Sequence, residues 1–388
     1  MRILELSFED ESHNWKLSST GFEMLTLLVG ASGVGKTQIL NSILKIKKIS
    51  EGYSLNGIKW KIMFQVPNIR NTVLWEGEFE NKGYIGFFAE NDEEIGHDAE
   101  FYPKIISERI RIGDKVLVHR SGESIKYDNK KIVRLPRHQS ILFLLRKEMS
   151  ISLIQSEFKR IEFSDQSGAT AVSSRYRIIE FENVSRELNT LKKIQDSSYG
   201  IQEKLYACFK NEPQVFNEIE DRFREIFPQV ERIKFEKIGK KVFEDINPRM
   251  PFFLRDIPIL QIKEKGVKQW IEYFYLSSGM LRSLLHLSQI YLCKEGSVFL
   301  IDEFENSLGI NCLDEITDEI MNPNRKLQFI VTSHHPYIIN KIDFKHWKIV
   351  TRKKGVIKTQ NATDLKLGKS KHEAFLQLLQ LESYNPNL

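Results

Sequence analysis

Gly30-Ala31-Ser32-Gly33-Val34-Gly35-Lys36-Thr37 fits the spacing GxxxxGK[ST], whose chemistry is the cradling of a triphosphate. Its glycines let the backbone curl so that successive N–H groups face a phosphate. The start of the following helix adds partial positive charge there, and Lys36 adds a full one. The Thr37 hydroxyl is then placed for Mg²⁺. Far along the chain, Val298 to Ser307 reads VFLIDEFENS, with four apolar residues ahead of two adjacent carboxylates, Asp302 and Glu303. That is a Walker B pattern, and it puts the acids at the strand edge where open α/β sheets bind ligands. Asp302 would hold the Mg²⁺ shell and Glu303 would orient or deprotonate the attacking water. The expected cofactors are ATP and Mg²⁺.

These groups need a strand before the loop and a helix after it. Met24 to Val29 (MLTLLV) reads as a buried strand, and Ile39, Leu40, Ile43, Leu44 and Ile46 recur at helical spacing beyond Thr37. From Gly57 to Leu135 the pattern is one of short alternating strands, and from Ser140 to about Phe227 it is helical, closed by Pro228. Two strand-like segments follow, VERIKFEKI and ILQIKEKGVKQWIEYFYL, the second bending at Gly266. A helix, a buried strand, a second helix and a last buried strand complete the pattern. The fold class is α/β with a helical block inserted into a sheet protein. The expected divisions are a nucleotide-binding lobe over 1–138, a helical lobe over 139–228, completion of the core over 229–354 and a tail helix within 355–388. That tail helix carries Phe375, Leu376, Leu378, Leu379 and Leu381.

Composition narrows the setting. Lys plus Arg is 57 against 52 Asp plus Glu in 388 residues, a net charge of +5, too mild to announce nucleic-acid binding over the whole surface. The runs KIKK (45–48) and KIGKK (237–241) read as solvated faces. Cys208, Cys293 and Cys312 are widely separated, which suggests a reducing compartment and no zinc site. No stretch approaches 18 consecutive apolar residues, and the start of the chain lacks a long apolar run. The expectation is a cytoplasmic protein with no membrane partner.

Leu276-Ser277-Ser278-Gly279-Met280, shortly before the acidic pair, resembles the LSGGQ signature of ABC-type ATPases, with Ser278 for Gly and Met280 for Gln. Such departures resemble the RecF, SMC and OLD-like branch. The resemblance implies a P-loop ABC-type ATPase head with a RecA-like sheet core, an antiparallel β subdomain and an inserted helical lobe. It further implies that Ser277, Ser278 and Gly279 clamp the γ-phosphate held by the opposite subunit, so that two heads close on ATP as a homodimer or higher homo-oligomer. Gln328 to Pro336 (QFIVTSHHP) resembles the family's switch segment, with His334 as the γ-phosphate sensor and His335 its neighbour. A metal-binding reading of the two histidines lacks carboxylate or cysteine ligands at useful spacing.

Glu305-Asn306-Ser307-Leu308-Gly309 takes the D-loop position, Gly309 departing from the pattern. The family also uses a glutamine that reaches Mg²⁺ and the nucleophilic water. Gln139, where the strand region hands over to the helical block, and Gln65, at a spacing nearer that of transporters, are the two candidates, and Gln139 is favoured. Asn340-Lys341-Ile342-Asp343 spells the guanine-reading NKxD, but it does not directly end a buried strand and has no DxxG partner, which leaves adenine as the base.

The segments IDEFENSLG and TSHHPYIIN resemble the ATPases of phage-defence systems such as PARIS and Septu. That implies a switch, with Lys36, Glu303 and His334 as its catalytic groups, controlling a separately encoded nuclease or toxin. The alternative is a RecF-like repair ATPase with DNA as its ligand.

Overall fold

In a computed structural model, residues 1–83, 102–164, 181–237, 258–305, 310–321 and 325–365 are described. The chain divides into two units: Met1–Phe163 with Gly296–Phe304 and Asn324–Leu388, and Ser164–Glu295 with Glu305–Pro323.

Strands β1 (Arg2–Asp10), β2 (Trp15–Gly21) and β3 (Leu25–Val29) lead into helix α1 (Lys36–Ser50). The strands β4 (Ile58–Val66), β5 (Ile69–Phe79), β6 (Ile105–Ile112), β7 (Lys115–Ser121), β8 (Ser124–Tyr127) and β9 (Lys130–Lys131) follow. Helices α2 (Ile141–Leu144) and α3 (Met149–Phe158) and strand β10 (Ile161–Ser164) come next. The second unit contains α4 (Phe181–Glu187), α5 (Leu191–Asp196), α6 (Ile201–Asn211), α7 (Pro213–Ile226), β11 (Val230–Lys237), β12 (Pro258–Glu264), β13 (Trp270–Glu272) and α8 (Ser278–Leu292). Strand β14 (Val298–Ile301) belongs to the first unit and α9 (Ile310–Met321) to the second. Strand β15 (Gln328–Thr332), α10 (Pro336–Lys341), β16 (Trp347–Lys353) and β17 (Val356–Asn361) finish the first unit.

Fourteen strands of the first unit form one sheet in the order β10-β14-β15-β3-β16-β17-β2-β1-β4-β5-β6-β7-β8-β9. The pairs β14–β15, β15–β3 and β3–β16 are parallel, and from β2 through β1 to β9 each pair is antiparallel. Sequence sets the contrast. Strands β3, β14 and β15 are buried along their whole length, as runs covered on both faces must be. In β4 only alternate residues are fully buried, Ile58, Trp60, Ile62, Phe64 and Val66, so that one face meets the core and the other water. That inner face packs aromatics edge-on, with Trp60 against Trp75 at 5.4 Å and Phe158 of α3 against both Phe64 (5.3 Å) and Trp75 (5.2 Å).

Two features depart from simple periodicity. Strand β10 interrupts the helical block expected from Ser140 to Phe227 and joins the sheet beside β14, where the Arg160 carbonyl accepts the Val298 N–H at 3.0 Å. Four residues are too few to establish a period. Beyond the expected last strand, β16 and β17 add two more, β17 pairing with β16 and, in parallel, with β2. The tail helix lies outside the described residues.

In the second unit, α7 buries Phe216, Ile219, Glu220, Phe223 and Ile226 on one face, with Pro213 in its first turn where a missing N–H costs nothing. The three-stranded antiparallel sheet β11-β12-β13 presents Phe235 to Tyr206 and Phe209 of α6.

Candidate nucleotide site

Strand β3 ends at Val29 and α1 begins at Lys36, so the glycine loop spans the C-terminal edge of the parallel sheet. Two of its glycines are obligatory. A Cβ on Gly30 would lie 2.6 Å from the Val350 carbonyl of β16, and Gly35 has φ +101°, where a Cβ would also strike Ile357 of β17 at 2.4 Å. Gly35 caps α1 without a side-chain hydrogen bond of its own, at the helix start where N–H groups point outward. The Lys36 ammonium is buried and folds back to donate to the Gly30 and Ala31 carbonyls, both at 2.9 Å. Ser32 and Gly33 are exposed, and Ala31 and Val34 half-buried, at the mouth of the loop.

Strand β14 lies one strand away from β3, across β15, and delivers Asp302 to this edge. Thr37 Oγ1 donates to Asp302 Oδ1 at 3.2 Å, joining two motifs 265 positions apart in the chain. Oxygen donors of this kind, a hydroxyl and a carboxylate beside a helix start, suit a magnesium–triphosphate complex. Glu303, next in the chain, has a left-handed backbone with φ +45°. Its N–H donates to Thr332 Oγ1 at 2.8 Å, and the same hydroxyl donates to Asp302 Oδ1 at 2.6 Å.

Thr332 was not singled out by sequence reasoning. The signal available was its position two residues before His334 at the end of a buried strand. His334 is half-buried in the turn between β15 and α10. His335 has a separate task, its Nδ1 accepting the Tyr337 N–H at 3.2 Å as the cap of α10. Asn340 and Lys341 close that same helix rather than a strand, which is the wrong setting for guanine reading.

Neither glutamine candidate reaches the loop. Ser140 Oγ donates to the Ile49 carbonyl at 2.8 Å, which fixes Gln139 beside the far end of α1, thirteen residues on from Lys36. At about 1.5 Å per residue the two ends of the helix are roughly 20 Å apart, beyond any glutamine side chain. The Gln139 carbonyl instead accepts from Arg120 at 2.9 Å. Gln65 is exposed on β4 opposite Arg2. The neighbour of Arg2, Ile3, exchanges hydrogen bonds with Gln328, at the end of β15 remote from Thr332. The expectation that Gln139 contacts the nucleotide is corrected on that geometry.

In the second unit Ser277 caps α8, its Oγ accepting the Met280 N–H at 3.2 Å. Ser277 and Ser278 are exposed, Gly279 is half-buried, and Tyr275 ahead of them is 67 % exposed. Asn306 to Gly309 of the expected D-loop lie outside the described residues. Among the described residues no helix is long and apolar enough to cross a membrane.

Residues 25–340 match a family model described as "AAA domain, putative AbiEii toxin, Type IV TA system". No curated protein matches the chain. Among solved structures, an Smc head bound to the C-winged helix domain of ScpA has a TM-score of 0.51 at 16% identity, over 93% of this chain and 98% of that one. An Smc head from Pyrococcus furiosus with an extended coiled coil, bound to the C-terminal domain of ScpA, gives 0.46 at 14% identity, covering 98% and 100%. The SMC head domain from Thermotoga maritima gives 0.42 at 14%, covering 93% and 99%. The first of these likenesses gives the fold, an ABC-type α/β ATPase head.

Proposed function

Because the chain belongs to the AAA-domain family whose model it matches over residues 25–340, we propose that it is an ATP-binding and hydrolysing switch whose heads pair across ATP and whose closure controls a separate effector. The observation that carries this reading is the Thr37–Asp302 hydrogen bond. It joins the triphosphate loop and the acidic pair at one sheet edge, with the Lys36 ammonium curled over the loop. Bound Mg²⁺ would supply neutralisation of the phosphate charge.

The chain's own groups do the rest. Lys36 exchanges the Gly30 and Ala31 carbonyls for phosphate oxygens. Thr37 and Asp302 would hold the metal, Glu303 would take a proton from the attacking water, and His334 would read the γ-phosphate. Ser277, Ser278 and Gly279 of a second copy close the site at the start of α8, an anion at a helix N-terminus supplied in trans. The family's description names a toxin and a toxin–antitoxin system, which supports control of a toxic effector. The resemblance of IDEFENSLG and TSHHPYIIN to phage-defence ATPases extends that reading to antiphage defence, with a nuclease or toxin as the effector.

The test compares the wild-type chain with Glu303→Gln and Lys36→Ala. Glu303→Gln keeps ATP affinity, loses about 100-fold or more in turnover, and shifts to a larger assembly with ATP by light scattering. Lys36→Ala loses ATP binding, and with it both turnover and the ATP-dependent assembly. Glu303→Gln that hydrolyses like wild type, with no ATP-dependent association in any form, removes the reading.

A further inference from the structure

The turn after β14 is tied at three points to one residue of the neighbouring strand. Thr332 Oγ1 donates to Asp302 Oδ1 at 2.6 Å and accepts the Glu303 N–H at 2.8 Å, while its backbone carbonyl accepts the Phe304 N–H at 3.0 Å. One hydroxyl carries one proton and free lone pairs, so it can serve both neighbours at once. Thr332 is itself 1% exposed. The residue it holds is unusual. Glu303 has φ +45°, a conformation that a non-glycine side chain keeps only where its surroundings over-determine it. Two residues further along from Thr332 comes His334.

We propose that Thr332 is the positioning residue for Glu303: its hydroxyl holds the left-handed turn that aims this carboxylate and ties that turn to the end of the strand that leads into His334. The assignment rests on the ATPase reading above. A shift of the β15 end is then transmitted directly to both acids, Asp302 through its Oδ1 and Glu303 through its backbone. Valine has the shape of threonine and neither hydrogen bond, whereas serine keeps both bonds without the methyl group.

The experiment uses the full chain as wild type, Thr332→Val, Thr332→Ser and Thr332→Cys. Thr332→Val is expected to lower kcat for ATP about 10- to 100-fold, as a misplacement near 1 Å does, while its ATP dissociation constant stays within about 3-fold. Thr332→Ser returns kcat to within about 3-fold of wild type. Thr332→Cys, with weaker hydrogen bonds at similar volume, falls between and serves in place of the valine variant should that one fail to fold. A second readout needs no turnover: amide exchange across residues 302–304 in the nucleotide-free protein is faster in Thr332→Val and unchanged in Thr332→Ser.

Thr332→Val or Thr332→Cys turning over as wild type overturns the assignment and leaves the ATPase reading standing, and so does Thr332→Ser as slow as Thr332→Val. Wild-type chain without ATP turnover removes the ATPase reading itself, and the assignment with it.

Discussion

His286 sits on α8, the helix that Ser277 opens. Desolvation, with a smaller contribution from the Arg282 charge, pushes its pKa down to about 4 from the ordinary 6.5. The folded chain therefore keeps this ring neutral at pH values where the unfolded chain protonates it. Stability is full above about pH 6.5 and is lost progressively as pH falls toward 4, because the unfolded state binds the extra proton. The residue as a whole is half-buried, and the loss assigned to it between pH 7.5 and pH 5 is about 1–2 kcal/mol rather than the whole shift. Denaturant titrations at pH 7.5 and pH 5 should show that loss in wild type. In His286→Gln the difference between the two pH values should be smaller by the same amount, and an unchanged difference would assign the titration elsewhere.

At this scale the sequence was informative where chemistry is written in adjacent residues: the two motifs it marks are joined by the Thr37–Asp302 hydrogen bond. It was silent on Thr332, whose importance comes from a neighbour thirty positions back in the chain and from a backbone angle that no composition reveals.

The elements of the antiparallel part of the sheet show both the strength and the limit of periodicity. Alternation marked β4, β5, β7 and β8, while the expected strand GYIGFFAE lies, beyond Gly83, outside the described residues. Two charged residues take inward positions on β6 and β7, where alternation alone asks for apolar ones. Glu108 and Arg120 stand opposite each other in the β6–β7 ladder and are both fully buried. Burial pushes the Glu108 carboxyl up. Arg120 (3.8 Å), the Ile141 N–H (2.9 Å) and the Trp75 indole (2.9 Å) oppose that shift. Arg120 in turn donates to the Gln139 and Pro136 carbonyls, so this pair pins the 136–141 segment whose Ser140 anchors the far end of α1. That is why Gln139 lies where it does, and hydrophobic patterning holds no trace of it.

Removing one member strands the other's charge. Arg120→Leu should therefore cost about 3–5 kcal/mol in denaturant unfolding, and the Glu108→Leu/Arg120→Leu double variant should recover a large part of that. Strictly additive losses would show that the two side chains act independently.

For the whole molecule, the order of motifs was legible because each is local: loop, signature, acidic pair and switch follow one another along the chain. The assembly of the sheet was not. β2, near the start, pairs in parallel with β17, close to the end of the described chain, and this joins the parallel core to the antiparallel strands. Such long-range pairing leaves no periodic signature. The same limit applies to association between copies, which must be tested by mixing.

If each site takes Lys36 from one chain and Ser277 from another, Lys36→Ala and Ser277→Arg chains are each inactive alone but complement each other. In a mixed pair the Ser277→Arg chain supplies an intact Lys36 and the Lys36→Ala chain an intact Ser277, so one site of the two is whole. Random pairing in an equimolar mixture makes half of the pairs mixed, and about a quarter of all sites regain both groups. Recovered ATP turnover should approach that fraction of wild type and fall as either mutant is added in excess. Turnover no greater than the sum of the two mutants measured separately would mean that Lys36 and Ser277 never share a site across chains.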